Sequence, residues 1–187
     1  MATYKASRIL REGFTAITLS VMISTFAGTL LNVRLESLIT VPVILILIPP
    51  FNDMAGDFGC IIGARLATAL HLGIIKPRIE KNTYLFRNII AIIFIAIISS
   101  IYLSILVYAI GGIMGLNIVS PISILILILI SSILLALIII AVGVIVAFIS
   151  YIYHWDPDNT TIPILTAIGD FTGILTLIYV ASLIHII

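Results

Sequence analysis

The sequence predicts an all-α membrane protein with five transmembrane helices, the second of them long and broken by proline. Hydrophobic residues make up 62% of the 187 residues and charged residues only 9%, whereas soluble domains are about half apolar and a quarter charged. The apolar segments between the few charged stretches reach the ~20 residues that a helix needs to cross the hydrocarbon core. These segments are unbroken runs of Ile, Leu and Val and not alternating strands, so helices must satisfy the backbone in lipid.

The composition also limits the classes of partner. A formal net charge of +1 argues against a nucleic-acid partner, which would require a strongly basic surface. The single cysteine, Cys60, excludes a disulfide framework within the chain. Because no stretch is long and polar enough to form a soluble domain, we expect residues 1–187 to make one transmembrane domain in a lipid bilayer.

The first span is predicted at about residues 13–33 and the second at about 38–73. The first is longer than the core of a signal peptide and has no clear cleavage site, so we interpret it as a membrane helix. The second is too long for one straight crossing, because its 36 residues would run about 54 Å as a helix. Proline removes a backbone donor and clashes with the preceding turn. We therefore expect Pro49 and Pro50 to kink or open this segment, leaving residues 51–73 to cross alone.

The remaining spans are predicted at about residues 88–111, 118–152 and 160–186. The third lies between Arg87 and the uncharged loop "GGIMGLN", and the fourth is an almost continuous run of apolar residues. The fifth follows "HWDPDN". Each is long enough to cross the bilayer as a helix.

Basic residues near the span ends predict the orientation, since they are retained on the cytoplasmic side. One side of the predicted bundle carries most of them, and the opposite side carries only Arg34. We therefore expect a multi-pass protein of the cell membrane with a cytoplasmic N-terminus and an external C-terminus. The basic residues that define the cytoplasmic side are Lys5, Arg8, Arg11, Lys76, Arg78, Lys81 and Arg87.

Two aspartates lie deep inside predicted spans. Asp170 is about ten residues into the fifth span, roughly 15 Å along the helix and close to the bilayer midplane. Asp57 lies in the helical part of the second span. A carboxylate at this depth costs several kcal/mol unless it meets water, a cation or a partner, so a functional role is the default interpretation.

Small residues surround both aspartates, which predicts close approach to other helices. In the fifth span Thr166, Gly169 and Gly173 share the helical face of Asp170. We expect both carboxylates to point into a bundle and, with a threonine hydroxyl and exposed carbonyls, to offer the hard oxygen ligands that Mg²⁺ or Ca²⁺ prefers. The small residues around Asp57 are Gly56, Gly59, Gly63, Ala64 and Ala67.

Some neighbouring residues have two interpretations. Arg65, two turns after Asp57, can form a purely structural ion pair with a carboxylate. Asn52 and Asp53, which follow the prolines, are either cation ligands or caps for an opened backbone.

The polar residues near the membrane surface allow a similar choice. Asp156 and Asn159 lie at the predicted cytoplasmic mouth, where Asp156 and Asp158 can attract cations. However, "DPDNTT" is also typical of an N-capping turn before the last helix, which we favour. The histidines share no metal-ligand spacing and are interpreted as residues of the membrane interface: His71, His154 and His185.

Two segments of the sequence resemble a known family. Residues 49–73, "PPFNDMAGDFGCIIGARLATALHLG", and residues 156–178, "DPDNTTIPILTAIGDFTGILTLI", are similar to the two signature segments of MgtE-type magnesium channels. They are still more similar to those of the related eukaryotic magnesium solute carriers. The matching features are the proline, the Gly-acid pair, "ARLAT", "DPDN", Pro163 and the "GD" at 169 and 170. The two segments cover about a quarter of the chain, and the five-span order around them agrees.

The resemblance implies a five-helix domain that works as a homodimer, with the second and fifth spans lining a cation path along the two-fold axis. It implies that Asp170 takes part in binding hydrated Mg²⁺ within the pore, with Asp57 in an adjacent site. The candidate metal ligands are Asp170, Asp57, Asp53, Thr166, Asn52 and Gly169. The candidate packing or pore-lining residues are Gly56, Gly59, Gly63, Gly173, Pro49, Pro163 and Arg65.

The sequence departs from the family pattern in two respects. The Gly56 and Asp57 pair stands where the family usually has Gly-Asn; the added negative charge bears on selectivity, so Mn²⁺ and Ca²⁺ stay open beside Mg²⁺. The bacterial channels carry cytosolic domains that sense Mg²⁺, and we expect this chain to work without them. The eukaryotic carriers contain two such halves in one chain, so one half is expected to pair with a copy of itself.

Three functions compete at this point. The one we favour is a divalent cation transporter and not an enzyme, either a passive pore or a carrier coupled to Na⁺ or H⁺. The alternative is an intramembrane aspartyl protease, because "AGDFG" and "IGDFTG" partly match its Gly-x-Gly-Asp motif. However, position 167 is Ala, and the Tyr-Asp partner and the Pro-Ala-Leu motif are missing. A non-catalytic membrane subunit of a larger complex is the third.

Overall fold

The described part of the chain is mainly α-helical. The computed structural model describes residues 6–78, 80, 82–116 and 120–186. Within these ranges, five helices are long and apolar enough to cross a membrane, which confirms the predicted fold class. The helices are α1 (Ala6–Val33), α2 (Leu35–Ile39), α3 (Pro42–His71), α4 (Thr83–Ile113), α5 (Pro121–Ile152) and α6 (Pro157–Leu183).

The five long helices correspond to the five predicted spans, but their ends differ. α1 is already helical at Ala6, and α4 begins at Thr83 and not at residue 88. Hydropathy marks the segment inside the hydrocarbon, whereas backbone hydrogen bonding continues a helix into the polar interface. Residues 118 and 119 of the predicted fourth span lie outside the described ranges. So do Lys5 and Lys81, two of the basic residues that predict the orientation.

The interruption predicted in the second span lies at a different place. α3 continues as one helix through Pro49 and Pro50, so the backbone does not open at the prolines. The helix is interrupted earlier, between α2 and α3. Each internal proline removes one main-chain hydrogen bond, but the neighbouring side chains of Leu47 and Phe51 are buried. Their packing holds the segment helical despite the lost bonds.

α6 is the central helix of the bundle, because it packs against α1, α3 and α5. α4 packs outside α3 and α5, and its outward face carries large apolar side chains such as Phe94 and Ile98. Ser20 Oγ of α1 donates a hydrogen bond to the Pro163 carbonyl of α6 at 3.0 Å. In the described residues α1 packs against α6 but against neither α3 nor α5.

Glycines let α3 and α6 approach each other closely. A Cβ added at Gly59 would lie 2.9 Å from Leu165 Cβ, and one added at Gly169 would lie 3.1 Å from Ala55 Cβ. Because a later position in α3 meets an earlier position in α6, the two helices are antiparallel. This close antiparallel pair positions the aspartates of both helices.

Candidate functional site

One face of α3 carries polar side chains that the other described helices leave uncovered. Asp53, Asp57, Thr68 and His71 are exposed, and their spacings place them on one side of the helix. This side, called here the polar face of α3, runs from Asp53 to His71 over about 27 Å. It therefore follows most of the membrane-spanning length of the helix.

The glycines around Asp57 lie on a different side of α3. Gly56, Gly59 and Gly63 are buried against residues of α6, whereas Asp57 is exposed. The prediction that Asp57 shares one small-residue surface with these glycines is therefore wrong, and the expectation that it points into a bundle stays a prediction. Successive helical residues are rotated by about 100°, so the neighbours Gly56 and Asp57 belong to different surfaces.

The aspartates of the polar face are not neutralised by a described Lys or Arg. Asp53 and Asp57 form no ion pair with a described residue. Arg65 instead donates a hydrogen bond from Nη1 to Asn88 Oδ1 of α4 at 2.8 Å. The structural ion pair considered for Arg65 is thus not formed, because this side chain reaches toward α4, away from α6.

Asp170 lies on the same flank of the α3–α6 pair as Asp57. Ala55 packs on Gly169, so Asp170 lies within about one helical turn of the level of Asp57. On α3, Asp57 lies about a third of a turn around the helix axis from the side that contacts α6. On α6, Asp170 lies about a quarter of a turn around the axis from the side that contacts α3. Because the helices are antiparallel, both rotations lead to the same side. Asp170 is partly buried there, beside Ser24 of α1.

Two polar side chains lie in the α3–α6 contact near Asp170. Thr166 Oγ1 donates to the Ile162 carbonyl at 3.0 Å, so its oxygen is still able to accept. Asn52 Oδ1 is buried and has no hydrogen-bond partner among the described residues. It lies 2.8 Å from where a Cβ of Gly173 would be. An unpaired buried acceptor is costly, and a cation or its bound water would satisfy it.

The capping role considered for Asn52 and Asp53 does not apply. α3 continues through both residues as a helix, so no free helix end is present for them to cap. Asp53 lies one turn before Asp57 on the polar face. Cation binding by this pair stays a prediction.

The start of α6 is stabilised by its own N-cap, as the sequence analysis favoured. Asp156 is the N-cap, and its Oδ1 accepts a hydrogen bond from the Asp158 N–H at 3.0 Å. The position of Asn159 at a cytoplasmic mouth stays a prediction. In the structure Asn159 donates from Nδ2 to Glu12 Oε2 at 3.0 Å. Its amide therefore joins α1 to α6.

Glu12 is a structural residue that the sequence analysis missed. It is buried, and its carboxylate accepts hydrogen bonds from Arg8 Nε at 2.7 Å and from the Asp156 N–H at 3.1 Å. The N–H groups of a helix start favour a carboxylate, so Glu12 fixes the beginning of α1 on the first turn of α6. The available signal was that Glu12 is the only acidic residue in α1.

His71 lies in a cluster that its sequence position did not indicate. Its Nε2 is 3.9 Å from Asp156 Oδ1, and Asp158 belongs to the same group. The interpretation of His71 as a residue of the membrane interface stays a prediction, and the structure adds that two carboxylates of α6 lie beside it. His71 and Asp156 are about 85 positions apart, and they meet only because α3 ends where α6 begins.

Several of the described basic residues lie at this same end of the bundle, whereas Arg34 lies at the opposite end. Arg8 and Arg11 lie near the start of α1, which packs on the first turn of α6 through Glu12. Lys76 and Arg78 follow the end of α3. The side of the membrane that this end faces stays a prediction from these basic residues.

Apolar spans that carry carboxylates at membrane depth are typical of membrane proteins that move ions. The model of the MgtE family, described as a divalent cation transporter, matches residues 48–180. This is more than half of the chain, and it includes most of α3 and α6. The chain therefore belongs to the MgtE family of divalent cation transporters. Searches of the curated proteins and of the solved structures found no match.

Proposed function

We propose that this chain transports Mg²⁺ across the cell membrane as a homodimer, along a path lined by α3 and α6 of both copies. The observation that supports this most strongly is the polar face of α3. It carries Asp53 and Asp57 on the outside of a membrane-spanning helix. Membership of a divalent cation transporter family supports the type of reaction.

Lipid is an unsuitable neighbour for the polar face. An ionised carboxylate in hydrocarbon costs several kcal/mol, and such residues almost always face a bundle interior or a water-filled cavity. Asp57 is exposed on the single chain, so another polar surface has to meet it. A second copy related by a two-fold axis presents the same face to the first, and the space between two such faces is polar enough to hold water.

A cation is needed where two copies of the polar face meet. Each copy contributes Asp53, Asp57 and Asp170 to one flank of its α3–α6 pair, and carboxylates that face each other repel. A divalent ion between them removes this repulsion. Mg²⁺ prefers hard oxygen ligands and gives up its waters reluctantly. A hydrated ion held by a few carboxylates, with the Asn52 amide oxygen nearby, fits this arrangement.

The two aspartates differ in a way that suits passage of an ion. Asp57 is exposed, whereas Asp170 is partly buried beside Ser24. Conduction requires binding that is favourable enough for an ion to enter and weak enough for it to leave. Asp170 then provides the main binding position, and Asp57 adds negative charge one turn away. The family membership favours transport over the protease and over a subunit without its own activity.

Magnesium uptake into proteoliposomes that contain the full chain and an enclosed magnesium dye tests this proposal. Asp170→Ala removes the main ligand, so we expect the uptake rate to fall at least about tenfold, which corresponds to ~1.4 kcal/mol. Glu36→Ala is the matched control, because Glu36 is an exposed carboxylate of α2 outside the proposed path. Uptake by Asp170→Ala at the wild-type rate, or an equal loss in Glu36→Ala, would contradict the proposal.

A further inference from the structure

Three side chains with metal-binding atoms meet where α3 ends and α6 begins. His71 is the last residue of α3, Asp156 is the N-cap of α6, and Asp158 is in its first turn. One ligand atom from each lies within 4.8 Å of the other two. Small side-chain rotations would bring such a group to the 2.0–2.2 Å bond lengths of a metal centre.

The Asp156 carboxylate is the member of this group that points most clearly to a cation. It is only 4% exposed, and Oδ1 accepts the Asp158 N–H. Oδ2 accepts no hydrogen bond from a described residue, and the nearest described side chain that can carry positive charge is His71, at 3.9 Å. A buried carboxylate is stable when it is paired or when it coordinates a metal. The N-cap contact satisfies one oxygen and leaves the other free for a cation.

We propose that His71, Asp156 and Asp158 form a binding site for a divalent transition-metal ion such as Zn²⁺, Co²⁺ or Mn²⁺. An imidazole with two carboxylates suits these ions, whereas Mg²⁺ prefers ligands that are all oxygen. The affinity of such a site should increase from Mn²⁺ to Co²⁺, with Zn²⁺ also above Mn²⁺. The His71 side chain is 46% exposed, so water has access to complete the coordination.

His71 is also the last residue of the polar face of α3, but the proposed metal site does not rest on the proposed magnesium path. The aspartates of that path lie about 20 Å along α3 and α6 from this end of the bundle. A metal held by His71 and Asp156 connects the last turn of α3 to the first turn of α6. Binding to the folded state alone stabilises that state by mass action, so the ion also acts as a clamp between the two helices.

Cobalt absorption spectroscopy on the purified full chain in lipid nanodiscs tests the site. We expect bound Co²⁺ to show the absorption spectrum of a complex with a nitrogen ligand. Zn²⁺ should displace the bound Co²⁺, and an excess of Mg²⁺ should leave the spectrum unchanged. Zn²⁺ should also raise the unfolding temperature of the protein.

Variants separate this site from other places where Co²⁺ might bind. His71→Gln should lower the Co²⁺ affinity at least about tenfold. Loss of a residue that only hydrogen-bonds to a metal ligand already lowers the affinity about tenfold or more, and His71 is proposed as a ligand itself. His185→Asn is the control, since His185 lies at the opposite end of α6 at φ 57°, a conformation that asparagine tolerates. Asp156→Asn should also lose affinity while it keeps a good N-cap.

Three results would overturn this proposal, and none of them depends on transport. The first is an absence of Co²⁺ and Zn²⁺ binding to the wild-type protein. The second is an identical Co²⁺ spectrum and affinity in His71→Gln and the wild type. The third is displacement of Co²⁺ by Mg²⁺ as effective as displacement by Zn²⁺. A loss of magnesium uptake without any of these results would instead concern the proposed path.

Discussion

The two sides of α3 differ in what they contact. Gly56, Gly59 and Gly63 lie on one side, buried against α6 with little free space. Asp53 and Asp57 lie on the other, exposed and without an ion pair among the described residues. The first side determines how the chain packs within itself. The second presents charge at membrane depth to something outside the chain.

Under the proposed function, adjacent residues of one helix serve packing and transport. Gly56 has no side chain, and a Cβ added there would lie 3.4 Å from the methyl carbon of Thr166. Asp57, the next residue, is rotated about 100° away and is exposed. Substitutions on the glycine side should therefore change folding, whereas substitutions on the polar face should change ion movement.

The largest effect on stability is expected at Gly59. An added Cβ would lie 2.9 Å from Leu165 Cβ and 3.3 Å from the Leu165 carbonyl carbon, so the backbone of α6 has to move. Overpacking of this kind costs about 1–3 kcal/mol. We expect Gly59→Ala to lower the unfolding free energy by this amount, measured by denaturant titration in detergent micelles.

Gly28→Ala is the matched control for this prediction. Gly28 lies in α1, where an added Cβ has no heavy atom within 4 Å. The same substitution there should be neutral or slightly stabilising, because alanine is about 1 kcal/mol better than glycine inside a helix. Equal stabilities of the two variants would show that the glycine side of α3 is not tightly packed.

A smaller effect on stability is expected at Asp57. Exposed substitutions usually change the unfolding free energy by less than about 0.5 kcal/mol, so Asp57→Asn should fold as well as the wild type. Removing one negative charge from the polar face should alter the ratio of Mg²⁺ uptake to Ca²⁺ and Mn²⁺ uptake, with flux surviving. Competition uptake assays in proteoliposomes measure this ratio.

Two results at Asp57 would weaken the distinction between the sides of α3. Complete loss of flux would mean that Asp57, and not Asp170, is the main ligand. An unchanged ion ratio, equal to that of the control Glu36→Gln, would mean that the polar face does not contact the ion. Glu36 is an exposed carboxylate of α2, so it controls for a general change in surface charge.

The sequence predicts the five spans well because hydropathy is a local property. It also singles out Asp57 and Asp170 as candidate site residues, since a carboxylate within an apolar run is visible in the sequence alone. The effect of Pro49 and Pro50 was predicted less well. Local rules favour an opened backbone there, but α3 stays helical because packed neighbours such as Phe51 hold the segment in place.

Features that depend on how helices meet were beyond local reasoning. Gly56 and Asp57 are adjacent, and only the position of α6 determines which side of α3 is buried. The contact of His71 with Asp156 requires two helix ends to meet. Glu12 accepts a hydrogen bond from a backbone N–H at the start of α6, and no sequence pattern within α1 predicts this partner.

The cysteine of this chain allows a direct test of where the polar face of α3 lies. Cys60 is partly buried, lies one turn from Asp57, and is the only cysteine in the sequence. If two copies meet along the polar face, their Cys60 side chains come close together across the axis. Oxidation forms a disulfide where the Cα atoms are within about 7 Å, and short bifunctional thiol reagents cover slightly longer separations.

Thiol cross-linking of the full chain in native membranes is therefore the decisive measurement. The account predicts a covalent dimer in the wild type and its loss in Cys60→Ser. It also predicts no dimer when Ile98→Cys is added to Cys60→Ser, because Ile98 is 65% exposed on the outward face of α4. A cross-link through position 98 but not through Cys60 would contradict a cation path between two copies of the polar face.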